Sequence, residues 1–572
     1  MRTRPALVVL ALVLAAQARA TDNGLGAKPL MGWSSWSSLK KSISEDKIKA
    51  QADVMAAQLK QFGYQYINLD AGWRDETHWD QFGRETWDPV KFPGGLPALA
   101  AYIHGKGLKM GIYLHPGMDL GPNSPYELNT PIEGTSFHAQ DITDISQWGN
   151  TNKSAYRIDF SKPGAREYIQ SYANLVASWG VDYIKFDFVG PGGGVIAADS
   201  REEMHVWTQA LRSTPAGSNP IWIELSNSLS ISFVTDWQQI ANGWRIEGDI
   251  ESGSNGKLTT WTNVAKRFTD APKWTSFGGP GGWNDFDAVP VGNGTTDGIT
   301  DDERKTAVTL WSIGCTPLIL GANLTTLDNA AIPLLTNTEA IAINQAGRIA
   351  SPISQASSQQ VWRVKNADGS WTVALFNLGA STATVAANWS DLGITTGASV
   401  RDLWTHAELG SFPTSFSASL ATHASRLLKV TPGAPATTLD LEAENLTFVA
   451  SGASAVITAD SSASGGKWLQ LSGNSTNDYI EVTLPSVAAG TYQIQLRWKA
   501  NNNRGKMTLK VDGTQLGSTL DQYASAASYK TTTFGTKALT AGTHKLRLTI
   551  TGKNTASSSY YASQDQWVLV KQ

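Results

Sequence analysis

Short apolar segments alternate with amphipathic segments between about residue 28 and residue 346 of this chain. The amphipathic segments carry apolar residues at helical spacing, most clearly over Ser44–Phe62, Arg166–Gly180 and Arg201–Arg212. The apolar segments predict eight strands: Leu30–Trp33, Tyr66–Asp70, Lys109–His115, Tyr183–Phe188, Ile221–Leu225, Trp244–Ile250, Trp274–Phe277 and Pro317–Leu320. Strands joined by helical crossovers over this length predict a (β/α)8 barrel across residues 28–346, with its active site at the C-terminal ends of the strands.

The pattern changes to alternating apolar and polar residues after residue 346. Strands at Val361–Val364, Trp371–Phe376 and Ser399–Leu403, with a hairpin turn at Asn366–Gly369, predict a small antiparallel β-sandwich over residues 347–431. A segment rich in Pro, Gly and Ala, residues 432–438, is typical of a linker. Alternation resumes over residues 439–572. The predicted fold class is therefore α/β: a TIM barrel followed by two all-β sandwich domains.

The first twenty residues have the pattern of a secretory signal peptide. Arg2 and Arg4 precede an apolar run over residues 6–16, and Ala18 and Ala20 fit the small-residue rule for cleavage after Ala20. We expect a secreted or periplasmic protein that leaves the membrane once the signal is removed. The net charge of −3 argues against nucleic acid as a partner, because nucleic-acid binding needs a basic surface.

Two of the predicted strands end near a carboxylate that has a cation in the same segment. Asp187 follows Lys185 by two residues, and Asp249 follows Arg245 by four. Two carboxyl groups that face one sugar bond are the requirement of glycoside hydrolysis, so we expect an oligo- or polysaccharide substrate. Residues two apart on a strand share a face, so Lys185 can keep Asp187 ionised.

Several motifs in the same order resemble glycoside hydrolase family 27, the α-galactosidase family. The motifs are Met31–Trp36, Asn68–Trp73, Lys185–Asp187, Glu224, Arg245–Asp249, Trp283–Asp287 and Ala340–Gln345. The resemblance covers residues 28–432 and implies an α-galactosidase with a retaining mechanism and no cofactor for catalysis.

By the same resemblance Asp187 is the nucleophile and Asp249 is the acid/base. A retaining mechanism predicts that their carboxyl groups lie about 5–5.5 Å apart. Asp249 must begin the reaction protonated, so we expect its surroundings to favour the neutral form. The residues expected to bind the sugar are Trp33, as an apolar wall, and Asp70, Tyr113, Lys185, Glu224, Arg245 and Asp287.

One departure from the family leaves the sugar open. Galactose-type members carry two adjacent acids where this chain has Asp70–Ala71, and an alanine side chain makes no hydrogen bond. An isomaltodextranase and a β-L-arabinopyranosidase are therefore alternatives with the same mechanism. An inactive glycan-binding protein is an alternative of another class, although the chain keeps both catalytic acids.

The segment from residue 439 onward resembles carbohydrate-binding modules of the family 6 and family 35 type. The resemblance rests on Leu439–Asn445, Gly490–Tyr492, Val511–Gly513 and an aspartate near the end of the chain. It implies a structural calcium ion held by Glu442, Glu444 and Asp565. A plain β-sandwich without metal or ligand is the alternative.

Overall fold

A computed structural model describes residues 23–215, 218–251, 256–433 and 438–572. The chain divides into two compact units, the first ending at Gly433 and the second following it. The predicted signal peptide, residues 1–20, and most of the predicted linker lie outside the described residues. Each unit is described by itself below.

Eight parallel strands form the centre of the first unit. They lie in the order β7-β6-β5-β4-β3-β2-β1-β8, and parallel pairing of Val289 with Leu320 joins the last edge to the first. The strands are β1 Met31–Ser34, β2 Tyr66–Leu69, β3 Lys109–Leu114, β4 Tyr183–Phe186, β5 Trp222–Leu225, β6 Gly243–Arg245, β7 Trp283–Asp285 and β8 Leu318–Leu320. The predicted (β/α)8 barrel is confirmed.

A helix follows each strand of the barrel. The helices are α1 Glu45–Val54, α2 Gly95–Gly105, α3 Ala165–Ser178, α4 Arg201–Arg212, α5 Val234–Ile240, α6 Trp261–Trp274, α7 Asp301–Ile313 and α8 Thr338–Gln345. Side-chain caps fix where two of them begin. The Ser44 hydroxyl accepts a hydrogen bond from the Lys47 amide at the start of α1, and Thr300 and Glu303 form a capping box at the start of α7.

The strand predicted at Trp274–Phe277 is wrong. A proline usually ends a helix, but α6 continues through Pro272, so Trp274 is the last residue of that helix. The seventh strand lies further on, at Trp283–Asp285. The sixth strand is also shorter than predicted: it ends at Arg245, and the residues up to Ile250 form a loop.

Loops at the C-terminal ends of the strands carry small sheets of their own. Arg74–Trp79 pairs with Glu85–Trp87 after β2. After β3, Ala155–Ile158 lies between Met118–Asp119 and Thr143–Trp148. The same loop contains the short helix Pro125–Leu128, and the short helices Trp36–Leu39 and Ala331–Leu335 lie in the loops after β1 and β8. These insertions enlarge the mouth of the barrel.

An antiparallel sandwich completes the first unit. Its strands are Ser351–Pro352, Gln359–Lys365, Trp371–Asn377, Ala383–Asn388, Ala398–Asp402, Ala407–Phe412, Ser415–Leu420 and Ser425–Pro432. Trp362 and Phe376 pack edge-on against Phe268 of α6, with ring centroids 6.0 and 4.8 Å away. The sandwich and the barrel therefore share one hydrophobic core.

The second unit is all-β. It holds sheets of four, five and three strands around its own core. Its strands are Thr438–Glu442, Thr447–Ser451, Ala455–Ala459, Lys467–Leu471, Tyr479–Thr483, Gly490–Ala500, Gly505–Val511, Thr514–Asp521, Ser528–Leu539, Lys545–Lys553, Ala562–Gln564 and Gln566–Lys571. Among the helices of the described residues, none combines the length and the apolar character that a membrane crossing needs.

Candidate active site

The C-terminal ends of the barrel strands surround a pocket of about 260 Å³, called the outer pocket here. Its wall contains both predicted catalytic acids, Asp187 and Asp249. The same wall includes three of the predicted sugar-binding residues, Asp70, Tyr113 and Lys185. Because these side chains come from different strands and loops, the closed barrel is what brings them to one place.

A narrower space continues from the outer pocket and is called the inner pocket here. The two pockets share Trp36 and Lys185. The inner pocket contains the other predicted polar residues, and its acidic and basic lining consists of Lys185, Glu224, Arg245, Glu251, Asp285 and Asp287. The site is therefore rich in carboxyl groups and has few cations.

Asp187 lies directly after β4, and the barrel holds it through backbone and side-chain hydrogen bonds. Its backbone amide donates to the Leu114 carbonyl oxygen at 2.9 Å, and the Phe188 amide donates to Asp187 Oδ1 at 2.9 Å. Tyr113 lines the same pocket wall, close enough for its hydroxyl to interact with this carboxylate. Burial and this carboxylate raise the pKa of Tyr113 well above its usual value, so the phenol stays a hydrogen-bond donor.

Lys185 forms its closest ion pair with Asp70 rather than with Asp187. The Nζ atom of Lys185 lies 2.9 Å from Asp70 Oδ2. Burial alone would lower the pKa of Lys185, but the carboxylates of Asp70 and Asp187 outweigh it and raise that pKa. The lysine is therefore a permanent cation that faces both acids, as the spacing of Lys185 and Asp187 on the strand predicts.

Asp249 lies in the loop after β6, not at the end of a strand as predicted. Arg245 Nη2 lies 2.5 Å from Asp249 Oδ1, and 58% of the Asp249 side chain is exposed. The Asp249 side chain is therefore not buried, although burial is one of the ways in which a site can favour the neutral acid that the sequence predicts.

The guanidinium of Arg245 also holds the loop that carries Asp249. Arg245 is buried, and its Nη1 atom lies 3.3 Å from Asp287 Oδ2. The same oxygen accepts a hydrogen bond of 2.8 Å from the Ile250 amide. Burial pushes the pKa of Asp287 up, but Arg245 and Lys185 overcome this effect and lower it, so Asp287 is a fixed anion.

Glu224 and Asp285 have the opposite character. Burial and the Asp285 carboxylate raise the pKa of Glu224 well above its usual value. Burial and Asp287 raise the pKa of Asp285 to about 6. Gly243 makes room for Glu224, because a Cβ at that glycine would lie 2.1 Å from Glu224 Oε2. The inner pocket thus places one neutral carboxyl group, that of Glu224, which donates as well as accepts hydrogen bonds, beside charged groups.

The structure places Trp33 in the barrel core instead of at the pocket wall. Trp33 is fully buried, and its indole NH donates to the Ala322 carbonyl oxygen at 2.7 Å. Trp36, three residues later in the same motif, is partly exposed and lines both pockets. Both tryptophans stand in the matched motif, and the sequence contains no signal that separates the core residue from the wall residue.

Glu251 is a second residue that the sequence analysis misses. It lines the inner pocket two residues after Asp249. The one sequence signal is its position in the loop that carries the predicted acid/base. Ala71 lines the outer pocket beside Asp70, as its place in the motif suggests.

Two groups of side chains in the described residues have the ligand types and the spacing for a metal ion. Glu85, His115 and Asp119 form one group, but Arg74 forms ion pairs with both of its acids. Asp249, Glu251 and Asp287 form the other, and Arg245 pairs with two of its acids. The guanidinium groups therefore compensate much of the negative charge in both places.

The residues predicted to hold calcium converge in the second unit. The Glu442 Oε2 and Glu444 Oε2 atoms are buried without a hydrogen-bond partner among the described residues. Ser464 links the first of these acids to Asp565, because its hydroxyl donates to Glu442 Oε1 at 2.7 Å and its amide to Asp565 Oδ1 at 3.1 Å. Burial and the carboxylates of Glu442 and Asp565 raise the pKa of Glu444. Asp565 also forms an ion pair with Arg497.

We predict that the two neighbouring tryptophans respond differently to truncation. Trp33→Ala removes a buried indole, so it should lower the free energy of unfolding by about 3–5 kcal/mol in urea titrations. Trp36→Ala should change that free energy by about 1 kcal/mol or less, because the ring is partly exposed, and should raise KM for a glycoside about tenfold. Equal effects of the two variants on unfolding and on KM would contradict the assignment.

Comparisons with known proteins agree with this architecture. The family described as Alpha galactosidase A matches residues 29–149 and 152–346. The Alpha galactosidase C-terminal beta sandwich domain matches residues 356–430, and the family 35 carbohydrate binding module matches residues 452–560. The three matches follow the barrel, the sandwich and the second unit in order.

Relatives and solved structures cover the first unit. An α-galactosidase of Cyamopsis tetragonoloba is 32% identical over 423 residues, which is 72% of this chain and 88% of that protein. The crystal structure of a GH27 β-L-arabinopyranosidase from Geobacillus stearothermophilus is 31% identical, covers 71% of this chain and 97% of its own, and has a TM-score of 0.65. The α-galactosidase I structure from Mortierella vinacea is 27% identical, covers 72% of this chain and 99% of its own, and has a TM-score of 0.57. The chain belongs to the α-galactosidase A family of glycoside hydrolases, glycoside hydrolase family 27, and carries a family 35 carbohydrate-binding module after its catalytic unit.

Proposed function

We propose that the protein is an exported retaining α-galactosidase that hydrolyses terminal α-galactosyl residues of oligo- or polysaccharides. The observation that carries the proposal is that Asp187 and Asp249 line one pocket with the cation Lys185, in a chain of this family. The carbohydrate-binding module supports a saccharide substrate, and we propose that it holds the enzyme near that substrate.

The proposed reaction has two displacement steps. In the first, the ionised Asp187 carboxylate forms a bond to the anomeric carbon while Asp249 protonates the departing glycosidic oxygen. In the second, Asp249 removes a proton from water, and the resulting hydroxide displaces Asp187 from the anomeric carbon. Two inversions restore the original anomeric configuration, and the mechanism needs carboxyl groups about 5–5.5 Å apart.

The remaining pocket residues are proposed to hold the sugar. Lys185 can donate a hydrogen bond to a sugar hydroxyl, and Asp70 can accept one. Tyr113 orients the nucleophile. The neutral Glu224 and the ion pair of Arg245 with Asp287 bind hydroxyls in the inner pocket. Trp36 replaces Trp33 as the apolar wall, because aromatic faces suit the CH groups of a sugar ring. No cofactor has a role in these steps.

A β-L-arabinopyranosidase is the second candidate, and Ala71 is the observation that favours it. This residue lines the outer pocket beside Asp70 and contributes no hydrogen bond to a ligand. β-L-Arabinopyranose has the ring configuration of α-D-galactose without the hydroxymethyl group. Because this pocket lacks one polar contact, it should lose less affinity for arabinopyranose, which lacks one hydroxyl, than for galactose.

We predict turnover of nitrophenyl α-galactoside that depends on both acids. Asp187→Asn should lower kcat at least about 1,000-fold, because the amide is a poor nucleophile. Asp249→Asn should lower the rate far more on an alkyl α-galactoside than on the nitrophenyl substrate, since nitrophenolate leaves without a proton. Initial rates on nitrophenyl α-galactoside, α-glucoside and β-L-arabinopyranoside identify the sugar.

Ala71→Asp provides the matched test of specificity. The added carboxylate should raise the ratio of kcat/KM for galactoside over arabinoside about tenfold or more, because it can bind an extra hydroxyl. Ala71→Leu fills similar space without a hydrogen bond and is the control. Turnover of glucoside alone would refute both candidate sugars and leave a glucan substrate, while no turnover by folded protein would support the glycan-binding alternative.

Export rests on the signal pattern of the first twenty residues. Cleavage after Ala20 predicts that protein recovered from the periplasm or the medium begins with Thr21. Amino-terminal sequencing checks this expectation, with protein expressed from residue 21 as the cytoplasmic control. Mature protein that still begins at Met1 would exclude the cleavage.

We also propose that Glu442, Glu444 and Asp565 hold a structural calcium ion. Two buried carboxylate oxygens without partners are what a cation with oxygen ligands would satisfy. Calcium should raise the melting temperature of the second unit by several degrees, and Glu444→Gln should abolish most of that increase. Calorimetry of the full chain with calcium and with chelator measures it, with glycosidase activity unchanged by the chelator. Equal melting temperatures under both conditions would argue for a plain sandwich.

A further inference from the structure

Glu251 is a half-buried residue for which the proposed reaction has no role. It lies two residues after Asp249 and lines the inner pocket. Its Oε1 atom accepts a hydrogen bond of 2.5 Å from the Ser37 hydroxyl. Its Oε2 atom is buried and has no hydrogen-bond partner among the described residues. A carboxylate oxygen in that position is costly, whereas a neutral carboxyl group can be accommodated there.

The charged groups around Glu251 are mostly acids. Carboxylate oxygens of Asp249, Glu251 and Asp287 all lie within 4.8 Å of one another. Arg245 forms ion pairs with Asp249 and Asp287, and the described residues contain no ion pair of Glu251. Lys40 favours the ionised form of Glu251 without forming an ion pair with it. The Arg245 guanidinium therefore balances the negative charge of Asp249 and Asp287, but it forms no ion pair with Glu251.

The protonation state of Glu251 follows from its surroundings. Burial and the Asp287 carboxylate raise the pKa of Glu251 to about 7, against the smaller opposing effects of Ser37 and Lys40. Glu251 is therefore neutral in mildly acidic solution and loses its proton near neutrality. Asp249, which needs a proton for the first step, is the exposed partner of Arg245.

We propose that Glu251 is a positioning residue that shares one proton with Asp249, the acid/base. Glu251 supplies this proton to Asp249 when substrate binds. The proposal rests on the proposed glycosidase function. It explains how a carboxyl group that is paired with Arg245 in this arrangement can still act as an acid. Nothing beyond the two carboxyl groups and water is required.

The proton passes through a closed cycle. It moves from the Glu251 carboxyl to Asp249, and Asp249 gives it to the glycosidic oxygen as the C–O bond breaks and Asp187 bonds to the anomeric carbon. The pair is then fully ionised, and repulsion from Glu251 makes Asp249 a stronger base toward water. Water gives its proton to the pair, and its hydroxide bonds to the anomeric carbon as the bond from that carbon to Asp187 breaks and releases the Asp187 carboxylate. The net change is the consumption of one water molecule.

The pH dependence of kcat/KM tests the proposal. The rate should fall as pH rises through about 7, where the pair loses its shared proton. Glu251→Gln removes that proton and the repulsion, so Asp249 beside Arg245 should lose its own proton more easily. The alkaline limb should then move to lower pH by about one unit.

Two further variants make the direction of the shift decisive. Ser37→Ala removes the donor that stabilises the ionised Glu251, so the alkaline limb should move to higher pH. Glu203→Gln is the matched control, because burial also raises the pKa of Glu203 to about 7 but this residue lines a separate cavity. The alkaline limb of Glu203→Gln should lie at the same pH as that of the wild type. The proposal is overturned if the alkaline limb moves in neither Glu251→Gln nor Ser37→Ala, or if it moves in the same direction in both variants.

Infrared titration separates this inference from the proposed function. Between about pH 6 and about pH 8, wild-type protein should lose one carboxylic-acid carbonyl band more than Glu251→Gln does. Glu203→Gln identifies the contribution of the other buried glutamate. If no glycoside is turned over but the band difference appears, the function fails and the shared proton stands. If turnover is normal and the band difference is absent, the inference alone fails.

Discussion

One buried guanidinium, that of Arg245, supports the chemistry of this barrel. Setting aside Glu76, which pairs with Lys41 at the rim, seven acids line the two pockets: Asp70, Asp187, Glu224, Asp249, Glu251, Asp285 and Asp287. Arg74 also lines the outer pocket but pairs with Glu85 and Asp119, so Lys185 and Arg245 are the cations that face these seven acids, and Arg245 contacts two of them directly. Two cations leave part of the negative charge of seven carboxyl groups uncompensated, which favours the neutral form of the acids that burial already disfavours as anions. Glu224, Asp285 and Glu251 accordingly have raised pKa values.

This division of protonation states provides the different roles that a retaining glycosidase needs. Asp187 accepts a hydrogen bond from the Phe188 amide, and it lines the outer pocket together with Tyr113 and the charged Lys185. Glu224 lines the inner pocket, where its neutral carboxyl group can donate a hydrogen bond to a sugar hydroxyl. Asp249 lies between the two environments, on a loop that Arg245 and Asp287 hold in place. In the proposed mechanism carboxyl groups thus serve as nucleophile, hydrogen-bond donor and acid/base because their burial and their neighbours differ.

The sequence predicts the barrel well because the periodicity of each element is local. Seven of the eight strands lie within a few residues of their predicted positions, and the seventh, β7, is misplaced in the prediction because α6 continues through Pro272. The identity of the catalytic acids follows from ordered motifs. The choice between Trp33 and Trp36 does not, because both stand in one motif and only the packing of the barrel decides which ring is buried. The setting of Glu251 depends on groups from distant parts of the chain, Ser37 and Asp287, so no local pattern contains it.

The question of which sugar fits depends on how fully Asp70 is already engaged. Its Oδ2 atom accepts hydrogen bonds from Lys185 at 2.9 Å and from Ser34 at 3.3 Å, and its Oδ1 atom accepts one from the Ala71 amide at 2.8 Å. A carboxylate with two oxygens has few remaining acceptor positions after these bonds. A sugar hydroxyl near it must share Asp70 with Lys185, and an alanine in the next position offers no substitute. The polar contacts available on this side of the pocket are therefore those of Lys185 and the remaining lone pairs of Asp70. Such a site discriminates weakly for the hydroxyl that a second acid would bind, so under the proposed assignment the specificity of the enzyme depends on the ring hydroxyls that Glu224, Arg245 and Asp287 would bind.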